Sequence, residues 1–518
     1  MEKLLNNRLY TLLLFPLLLG ALTVFSFQPF NFSIINFIIL PIFFYLTVYI
    51  KKKSKSTYRK KPLRKNLFIF GTAFGFGYYL SGIHWITYSL TFDESFKILI
   101  PFGLIFIPLF LSLFFSTITL IFGPFLNLNF LSILIFSGSL ALSDYLRAKI
   151  LTGFPWNLWI YSFSWSPEII QILDKLGLFS LNLIFLTAFM LPSVLFFKIS
   201  HRKKFLCLSI ASLIIFSFFI YGNHSINKNN IELNTTNEKF NIKVVSPNFK
   251  LEYGLNDKDI ERRLNKLIKI SDASNDPKTL YIWPEGVFSG YSFDELNPFK
   301  KTILKNFNND HLILFGVNRF DVQKNGYHNS LIIINNKMEI LQEYKKQKLV
   351  PFGEFLPFKK ILNKFGLKKI TEGHGSFLRG ENQKNLILDN LNILPLICYE
   401  IIFTKFVQKS DLNTNLIINI SEDGWFGDSI GPYQHFSKTI FRAIEQNSFL
   451  IRSANKGVSA IIDNKGNVIK KLSPNEAGNI ELEVPLIKNK NKNKNDLIFF
   501  ALLITYILIF LILKKNDN

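Results

Sequence analysis

Long apolar stretches separated by short polar loops fill the chain up to residue 221, and one more apolar stretch lies near its end. No charged residue occurs between residues 9 and 50, which leaves room for two membrane spans of about 20 residues each, separated at Gln28-Pro29. Eight candidate spans follow from this pattern, at roughly 9–27, 33–50, 67–90, 98–121, 130–146, 176–198, 205–221 and 497–513. The pattern therefore predicts a multi-span α-helical membrane bundle of about eight helices.

Between residues 222 and 496 the pattern changes to short apolar runs that alternate with helical stripes. One amphipathic helix is predicted around residues 260–268 and another around 433–447. Predicted strands cover residues 242–245, 279–283, 311–317, 330–335, 386–389, 392–398, 416–420, 449–453 and 458–463. Strands separated by helices over a segment of this length predict one α/β domain with layered sheets.

The chain thus divides into three predicted parts. Residues 1–221 form an N-terminal bundle of about seven spans, residues 222–496 form the polar domain, and residues 497–518 form a last span with a short tail. We expect the polar domain to carry the chemistry, because its strand ends hold the charged and nucleophilic side chains considered below.

Positive charge predicts the orientation of these parts. The loop at residues 51–66 carries nine Lys or Arg and no acid, and the basic segment 198–204 and Lys514-Lys515 resemble it. Such loops face the cytoplasm. Four spans separate the first two loops and the seventh span leads outward, so the domain at 222–496 is predicted to be extracytoplasmic. Asn229, near its start, is expected to be exposed.

The lysines before the last span favour the opposite orientation; they are Lys488, Lys490, Lys492 and Lys494. We retain the extracytoplasmic assignment, because the earlier loops carry more charge and a folded domain is translocated largely regardless of its own charge. The net charge of +23 is then partly an orientation signal and partly a basic outer surface suited to anionic lipid. No nucleic-acid motif accompanies the lysine runs, so nucleic acid is a poor alternative partner.

Two cysteines occur in the chain, Cys207 and Cys398. Cys207 lies in an apolar segment, so the polar domain has neither a disulfide of its own nor a cysteine cluster for a metal. Cys398 ends the apolar run 392–397 and precedes Glu400 by two positions. A lone cysteine beside Leu and Ile is either a small core residue or a nucleophile that emerges at a strand end.

Charged residues follow two further predicted strands. Glu285 comes directly after Trp283-Pro284, and Lys346 and Glu354 lie in the segment 344–357, which contains three prolines or glycines that favour a loop. Taken one at a time, Glu285 fits a helix cap, Lys346 fits a solvated lysine and Glu354 fits a surface ion pair. Taken together with Cys398, they supply a base, a cation and a thiol, which are the groups that acyl transfer through a cysteine requires.

The stretches WPE at 283–285, YKKQKLVPFGEFLP at 344–357 and ICYE at 397–400 resemble the Glu, Lys and Cys motifs of the nitrilase superfamily. The multi-span frame narrows this resemblance to the apolipoprotein N-acyltransferases. Two further stretches match, TGFPWN at 152–157 and NISEDGWFGDS at 419–429. An aromatic belt at the membrane interface explains the first of these stretches about as well as a lipid-recognition loop does.

The resemblance implies a nitrilase-like α-β-β-α sandwich on the periplasmic side of a bacterial inner membrane. It implies that Cys398 is the nucleophile, Glu285 the general base and Lys346 the oxyanion partner, since the family lysine lies eight positions before the glutamate that corresponds to Glu354. Supporting or mobile-loop positions are implied for Glu354, Tyr399, Glu400 and Trp425.

Two positions depart from the family pattern. The family has a tryptophan soon after the first strand, whereas the nearest aromatic residue here is Tyr253. The family also has a histidine where this chain has Lys348, which predicts a more positive neighbourhood for Lys346.

The implied reaction moves an acyl chain from a membrane phospholipid, through a cysteine thioester, to the α-amine of the N-terminal diacylglyceryl-cysteine of an apolipoprotein. It requires no metal or other cofactor, and the seven histidines show no ligand pattern. One alternative is a membrane-tethered nitrilase-type amidase or hydrolase. Another is a non-catalytic lipid-binding or transport protein, although the predicted spans hold few of the charges that transport pathways use.

Overall fold

The computed structural model describes residues 7–55, 61–273, 277–357, 376–381, 384–487 and 495–516. The chain divides into two compact units, one of Met1–Ser225 with Asn493–Asn518 and one of Ile226–Lys492. The basic run with Lys488, Lys490, Lys492 and Lys494 lies outside the described residues, as do residues 56–60 of the first basic loop.

The first unit is helical. Its α-helices are Phe15–Leu22, Asn36–Lys55, Lys61–Ile83, Ile100–Phe122, Phe130–Lys149, Pro167–Ile170, Leu173–Leu176, Leu178–Met190 and Asn495–Asn516, and the helix His201–Asn234 begins in it. Helical segments long and apolar enough to cross a membrane are Ser33–Ser54, Glu94–Phe125, Phe130–Lys149, Leu178–Phe196 and His201–Asn234. These five correspond to five of the predicted spans.

The remaining three predicted spans are less clear. The first and last fall on shorter apolar helices, Tyr10–Ser26 and Asp496–Ile512. The span predicted at 67–90 falls on Lys61–Ile83, which ends early and is followed by the 3-10 helix His84–Thr91. Glycine and tyrosine dilute the apolar residues of this helix, which explains why it is not among the five. The total of eight spans stays a prediction.

Glycine in this helix serves close packing. A Cβ placed on Gly77 would lie 2.0 Å from the carbonyl oxygen of Leu17, and one on Gly20 would lie 2.0 Å from that of Phe74. The helices Phe15–Leu22 and Lys61–Ile83 therefore touch backbone to backbone, as small residues permit in membrane bundles.

A buried ion pair holds the TGFPWN loop inside the first unit. Arg147 and Asp144 lie 2.8 Å apart, and Arg147 also donates to the carbonyl of Phe154. Asn182 donates to the other Asp144 oxygen at 3.0 Å, so the buried carboxylate is satisfied on both sides. Trp156 of this loop is 1% exposed, so this ring packs within the protein.

Two six-stranded sheets form the second unit. Its strands are β1 Lys239–Ser246, β2 Thr279–Ile282, β3 His311–Asp321, β4 Gly326–Ile334, β5 Ile340–Lys345, β6 Leu386–Leu388, β7 Leu391–Ile397, β8 Leu416–Glu422, β9 Phe449–Asn455, β10 Ser459–Ile462, β11 Val468–Leu472 and β12 Gly478–Pro485. The first sheet has the order β12-β1-β2-β3-β4-β5 and the second β11-β10-β9-β8-β7-β6. All nine predicted strands are confirmed, and β5, β11 and β12 were not predicted.

The two sheets face each other. Ser453 in β9 donates its hydroxyl to the carbonyl of Val245 in β1 at 2.8 Å. A Cβ placed on Gly316 of β3 would lie 3.1 Å from the end of Ile420 in β8. Every residue of β2 is buried, as expected for a strand covered on both faces.

Helices cover the outer faces of both sheets. The helix Asp257–Ser271 begins with a capping box between Asn256 and Asp259. Its apolar face packs on the first sheet through Ile260, Leu264 and Leu267, against Val245, Trp283 and Phe315. The helix Gly431–Gln446 packs on the second sheet beside β9. The predicted α-β-β-α architecture is confirmed. Shorter helices of this unit are Lys300–Asn306 and Thr404–Lys409.

The expectation that Asn229 is exposed is wrong. Its side chain is 4% exposed and exchanges two hydrogen bonds with Asn464, at 2.9 and 2.6 Å. A polar residue near the end of a long helix can be buried when another amide lies opposite it and satisfies its hydrogen bonds.

Candidate active site

Cys398 lies where β7 ends. The strand stops at Ile397, and Cys398 begins the 3-10 helix Cys398–Ile402 with a φ of +49°. A residue other than glycine adopts this left-handed backbone conformation at a cost in free energy, and residues in it concentrate at functional sites. The sharp turn carries the thiol out of the sheet at the carboxyl end of a parallel strand, and the residue is 8% exposed.

Glu400 ties this turn to the segment that holds the candidate lysine. Its Oε2 accepts the N–H of Ile397 at 2.9 Å, and its Oε1 accepts the N–H groups of Gln347 and Lys348 at 2.7 and 3.0 Å. The Tyr344 hydroxyl also donates to both oxygens, at 3.0 and 3.1 Å. Burial raises the pKa of Glu400 to about 7, although these donors favour its ionised form. Glu400 is therefore a clamp between two loops.

The lysine held by this clamp lies between two carboxylates. Lys346 Nζ donates to Glu354 Oε1 at 2.8 Å and to Glu285 Oε1 at 3.2 Å. Asn329 in β4 donates from the same Nδ2 to both of these oxygens, at 2.9 and 2.7 Å. A buried lysine and a buried amide thus hold the two carboxylates side by side, and Lys346 is 1% exposed.

The charge of Lys346 is secured by its neighbours. Burial alone lowers the pKa of this ammonium, but Glu285, Glu354 and Cys398 together raise it above its usual value. An ammonium has three N–H donors, and within the described residues two of them serve Glu285 and Glu354. The third donor is available to a further acceptor.

Glu285 lies in the turn after β2, where Pro284 ends the strand. Its second oxygen accepts the backbone N–H of Glu422 at 3.1 Å, so both oxygens are held. A Cβ on Gly316 of the neighbouring strand would lie 3.0 Å from the Glu285 Cα, which explains a glycine at that position.

The thiol of Cys398 interacts electrostatically with both partners. Burial and the Glu285 carboxylate raise the pKa of Cys398 above its usual value, while Lys346 and the hydroxyl of Ser421 lower it. The raising effects are larger. The resting thiol therefore stays protonated at neutral pH, and a base must take its proton as it reacts.

A compact charged cluster lies beyond Ser421. The Ser421 hydroxyl donates to Asp423 at 2.6 Å, and Arg452 donates to the other Asp423 oxygen at 2.7 Å. His435 Nδ1 lies 3.0 Å from Asp423. Although burial alone raises the pKa of Asp423, Arg452 and His435 hold it below its usual range. The described residues include no group of three or more His, Cys, Asp or Glu placed to hold a metal.

Glu422 is another carboxylate residue that contacts Glu285, through its backbone N–H. It is 5% exposed, and its oxygens accept the N–H of Gly424 at 2.9 Å and the Nδ2 of Asn455 at 2.8 Å. Burial raises the pKa of Glu422 to about 8, and Glu285 adds to this effect. Glu422 therefore keeps its proton to a higher pH than an exposed carboxyl does.

Tyr399 and Trp425 each place an aromatic ring next to another aromatic ring. The buried ring of Tyr399 meets the ring of Phe403 edge-on, with centroids 5.1 Å apart. Trp425 is half-buried in the 3-10 helix Asp423–Phe426, and its ring centroid lies 6.1 Å from that of Tyr253. Tyr253 thus adjoins Trp425 in the absence of a tryptophan near that position.

The structure brings Glu285, Lys346 and Glu354 into direct contact and places Cys398 beside them. Glu354 pairs with the buried Lys346, whereas the sequence left open whether its partner is a surface lysine. Sequence reasoning did not single out Asn329, Ser421 or Glu422. The last two lie inside the matched stretch 419–429, so that motif was a signal for them, whereas nothing distinguishes Asn329 from other strand residues.

Comparisons with known proteins show what the chain is similar to. Residues 19–191 match the family model described as apolipoprotein N-acyltransferase N-terminal domain, and residues 253–488 match that of carbon-nitrogen hydrolase. An apolipoprotein N-acyltransferase of Rhodopseudomonas palustris is 32% identical over 434 residues, covering 80% of each chain. That of Rickettsia prowazekii is 33% identical over 490 residues, covering 92% of this chain and 95% of the relative.

Among solved structures, Nit3 of Saccharomyces cerevisiae, described as a member of branch 10 of the nitrilase superfamily, is similar at 14% identity and a TM-score of 0.35. The similarity covers 48% of this chain and 91% of that one. The two family models, read with the relatives and the five apolar helices, indicate a membrane protein with a nitrilase-superfamily domain. The chain belongs to the apolipoprotein N-acyltransferase family.

Proposed function

We propose that the protein transfers an acyl chain from a membrane phospholipid, through a thioester on Cys398, to the α-amine of the N-terminal diacylglyceryl-cysteine of an apolipoprotein. The observation that carries this proposal is the buried Lys346 ammonium between Glu285 and Glu354, next to the only cysteine of the second unit. The names of the curated relatives support N-acylation of lipoproteins in general.

In the first step the sulfur of Cys398 attacks the ester carbonyl of the donor. Glu285 takes the thiol proton as the C–S bond forms, because the resting thiol is protonated. The remaining N–H of Lys346 donates to the oxyanion of the tetrahedral intermediate. The ester C–O bond then breaks, Glu285 returns the proton to the departing glycerol oxygen, and a lysophospholipid leaves.

In the second step the α-amine of the acceptor attacks the thioester. Glu285 takes a proton from the nitrogen as the C–N bond forms, and Lys346 stabilises the oxyanion again. The C–S bond breaks, and the proton returns to the sulfur. The role of Glu354 is to hold Lys346 in place, and that of Glu400 is to hold the Cys398 turn against the lysine loop.

The remaining site residues act on the substrates. We assign Tyr399 and Trp425 to substrate contacts, because Tyr399 directly follows the nucleophile and Trp425 is half-buried in the 3-10 helix that follows Glu422. The protein is a multi-pass protein of a bacterial inner membrane, with spans within 1–221 and 497–518 and the catalytic domain at 222–496 on the periplasmic side. The basic loop at 51–66 supports this orientation.

Acyl transfer between two defined substrates tests this function. Full-length enzyme in detergent is given a phospholipid and a synthetic diacylated lipopeptide with an unblocked α-amine. We expect one acyl chain to be added to the lipopeptide, with one lysophospholipid formed for each, and no product from an N-acetylated lipopeptide or from Cys398→Ser. Release of fatty acid with the lipopeptide unchanged would instead establish the hydrolase, which uses the same groups.

A further inference from the structure

Three cations on the segments around the candidate nucleophile interact electrostatically; we call Lys348, Arg379 and Lys405 the cationic cluster. The ammonium of Lys348 lies 4.8 Å from the centroid of the Phe403 ring, and that of Lys405 lies 5.8 Å from the same centroid. Both ammonium groups thus contact one ring, and Lys405 acts electrostatically on Lys348.

The cluster is built onto the segments that carry the site. Lys348 follows Lys346 by two positions, and its backbone N–H donates to Glu400 at 3.0 Å. The shared Phe403 ring meets Tyr399, the neighbour of Cys398, edge-on at 5.1 Å. The cationic cluster therefore adjoins both the thiol and the oxyanion lysine along the chain.

The segment that carries Arg379 is hydrogen-bonded to the backbone of the lysine loop. The N–H of Gly380 donates to the carbonyl of Lys346 at 2.8 Å, and the N–H of Leu378 donates to that of Tyr327 at 2.7 Å. These two bonds anchor the backbone on either side of Arg379, whose side chain is exposed. The guanidinium acts electrostatically on Lys348.

The charge of Lys348 is uncompensated, in contrast to that of Lys346. No carboxylate of the described residues lies within ion-pair distance of its ammonium. Burial, Lys405 and Arg379 lower the pKa of Lys348 to about 8. An anion placed among the three cations would remove this repulsion and accept charge-assisted hydrogen bonds from them.

We propose that the cationic cluster binds the phosphate of the acyl donor and selects a phospholipid whose headgroup carries a net negative charge. This inference rests on the proposed phospholipid donor. A phosphodiester has two non-bridging oxygens that share one negative charge and can accept hydrogen bonds from a guanidinium and from ammonium groups. A zwitterionic headgroup adds an ammonium of its own, which three cations repel, whereas a glycerol headgroup adds none.

Donor competition tests the proposal. Full-length enzyme receives phosphatidylglycerol or phosphatidylethanolamine with identical acyl chains in mixed micelles, together with one lipopeptide acceptor of zero net charge. We expect kcat/KM to favour phosphatidylglycerol by about tenfold or more. Lys348→Gln and Lys405→Gln should each remove most of this preference by lowering the phosphatidylglycerol rate. Lys337→Gln, an exposed lysine in the turn between β4 and β5, is the charge-matched control and should keep it.

Other outcomes identify other sources of the effect. An equal loss with both donors would indicate a structural role for Lys348 and Lys405 and would overturn the proposal. So would a loss that depends on the charge of the acceptor peptide, which would assign the cluster to the acceptor. Inorganic phosphate at the donor concentration should inhibit weakly; inhibition equal to that by a soluble glycerophosphodiester would show that the cluster recognises free phosphate and no headgroup.

A binding measurement separates this proposal from the proposed function. Cys398→Ser enzyme is titrated with short-chain phosphatidylglycerol, and its affinity is compared with that of Cys398→Ser carrying Lys348→Gln. Weaker binding by the double variant supports the headgroup site even if the wild type transfers no acyl chain. Equal binding would overturn the site even if the wild type is an active acyltransferase.

Discussion

The ammonium of Lys346 lies 3.2 Å from the carboxylate of Glu285, and the lysine side chain is 1% exposed. Both charges are thus held away from water, and each depends on the other. Removing one partner of such a pair leaves a buried charge without compensation, which typically costs about 3–5 kcal/mol. Apolar residues of similar volume would often stabilise the fold as well as such a pair does, so stability alone does not explain its presence.

Replacing Lys346 tests its role as the oxyanion partner. We expect Lys346→Met to lower kcat by about a hundredfold or more, because it removes a donor that acts on charge developed in the transition state. Lys345→Met is the matched control, since Lys345 is 40% exposed and its ammonium lies 3.7 Å from Asp321. An inactive Lys345→Met with an active Lys346→Met would show that the wrong lysine was chosen.

Asn329 is expected to position both carboxylates, since its Nδ2 donates to Glu285 and Glu354. Asn329→Ala should lower kcat/KM by about ten- to a hundredfold, because a buried carboxylate that loses a donor costs about 1–3 kcal/mol. Asn335→Ala, in the turn after β4, is the control and should retain wild-type rates. Unchanged kinetics in Asn329→Ala would mean that Lys346 alone orders the site.

Glu422 predicts a dependence of stability on pH. Burial raises its pKa from 4.5 to about 8, so the folded protein keeps a proton that the unfolded chain releases above pH 4.5. The stability from this proton is complete below pH 4.5 and is lost as the pH rises through about 8. Glu422→Gln cannot ionise.

The melting temperature of Glu422→Gln relative to wild type should therefore be higher at pH 8.5 than at pH 5. If the difference in melting temperature between the two proteins is the same at both pH values, the raised pKa is not that of Glu422.

The orientation of the catalytic domain is tested by labelling. Val322, at the tip of the β3–β4 hairpin, is 82% exposed and replaces Asn229 as the labelling site. In a Cys207→Ser background, Val322→Cys should react with an impermeant thiol reagent in intact spheroplasts. The background chain should remain unlabelled because Cys398 is buried. Labelling of Val322→Cys only after lysis would reverse the orientation.

The inner strands of both sheets were predicted from the sequence, whereas three of the four edge strands were missed. Strands β5 and β12 are the two edges of the first sheet, and β11 is an edge of the second. Edge strands are solvated along one side and carry many polar residues, such as the two lysines of β11. Their pattern is therefore hard to distinguish from a loop, whereas a central strand such as β8 is buried along its whole length and begins with the apolar run 416–418.

The site was predictable where it follows strand ends and unpredictable where it depends on contacts across the fold. Glu285 and Cys398 come directly after apolar runs, so their position in the chain revealed them. The clamp formed by Glu400 joins segments more than 50 residues apart, at Gln347 and Lys348. Such long-range hydrogen bonds leave no local pattern.

Mass spectrometry of the intact enzyme after incubation with phospholipid alone tests the central claim most directly. The account predicts that Cys398 gains the mass of one acyl chain as a thioester. This adduct should persist until a diacylated lipopeptide with an unblocked α-amine is added, and the acyl chain should then appear on that amine. Cys207→Ser should behave as wild type and Cys398→Ser should form little or no adduct. Acyl transfer to the lipopeptide by an enzyme that never carries the adduct, or by Cys398→Ser at the wild-type rate, would contradict the account.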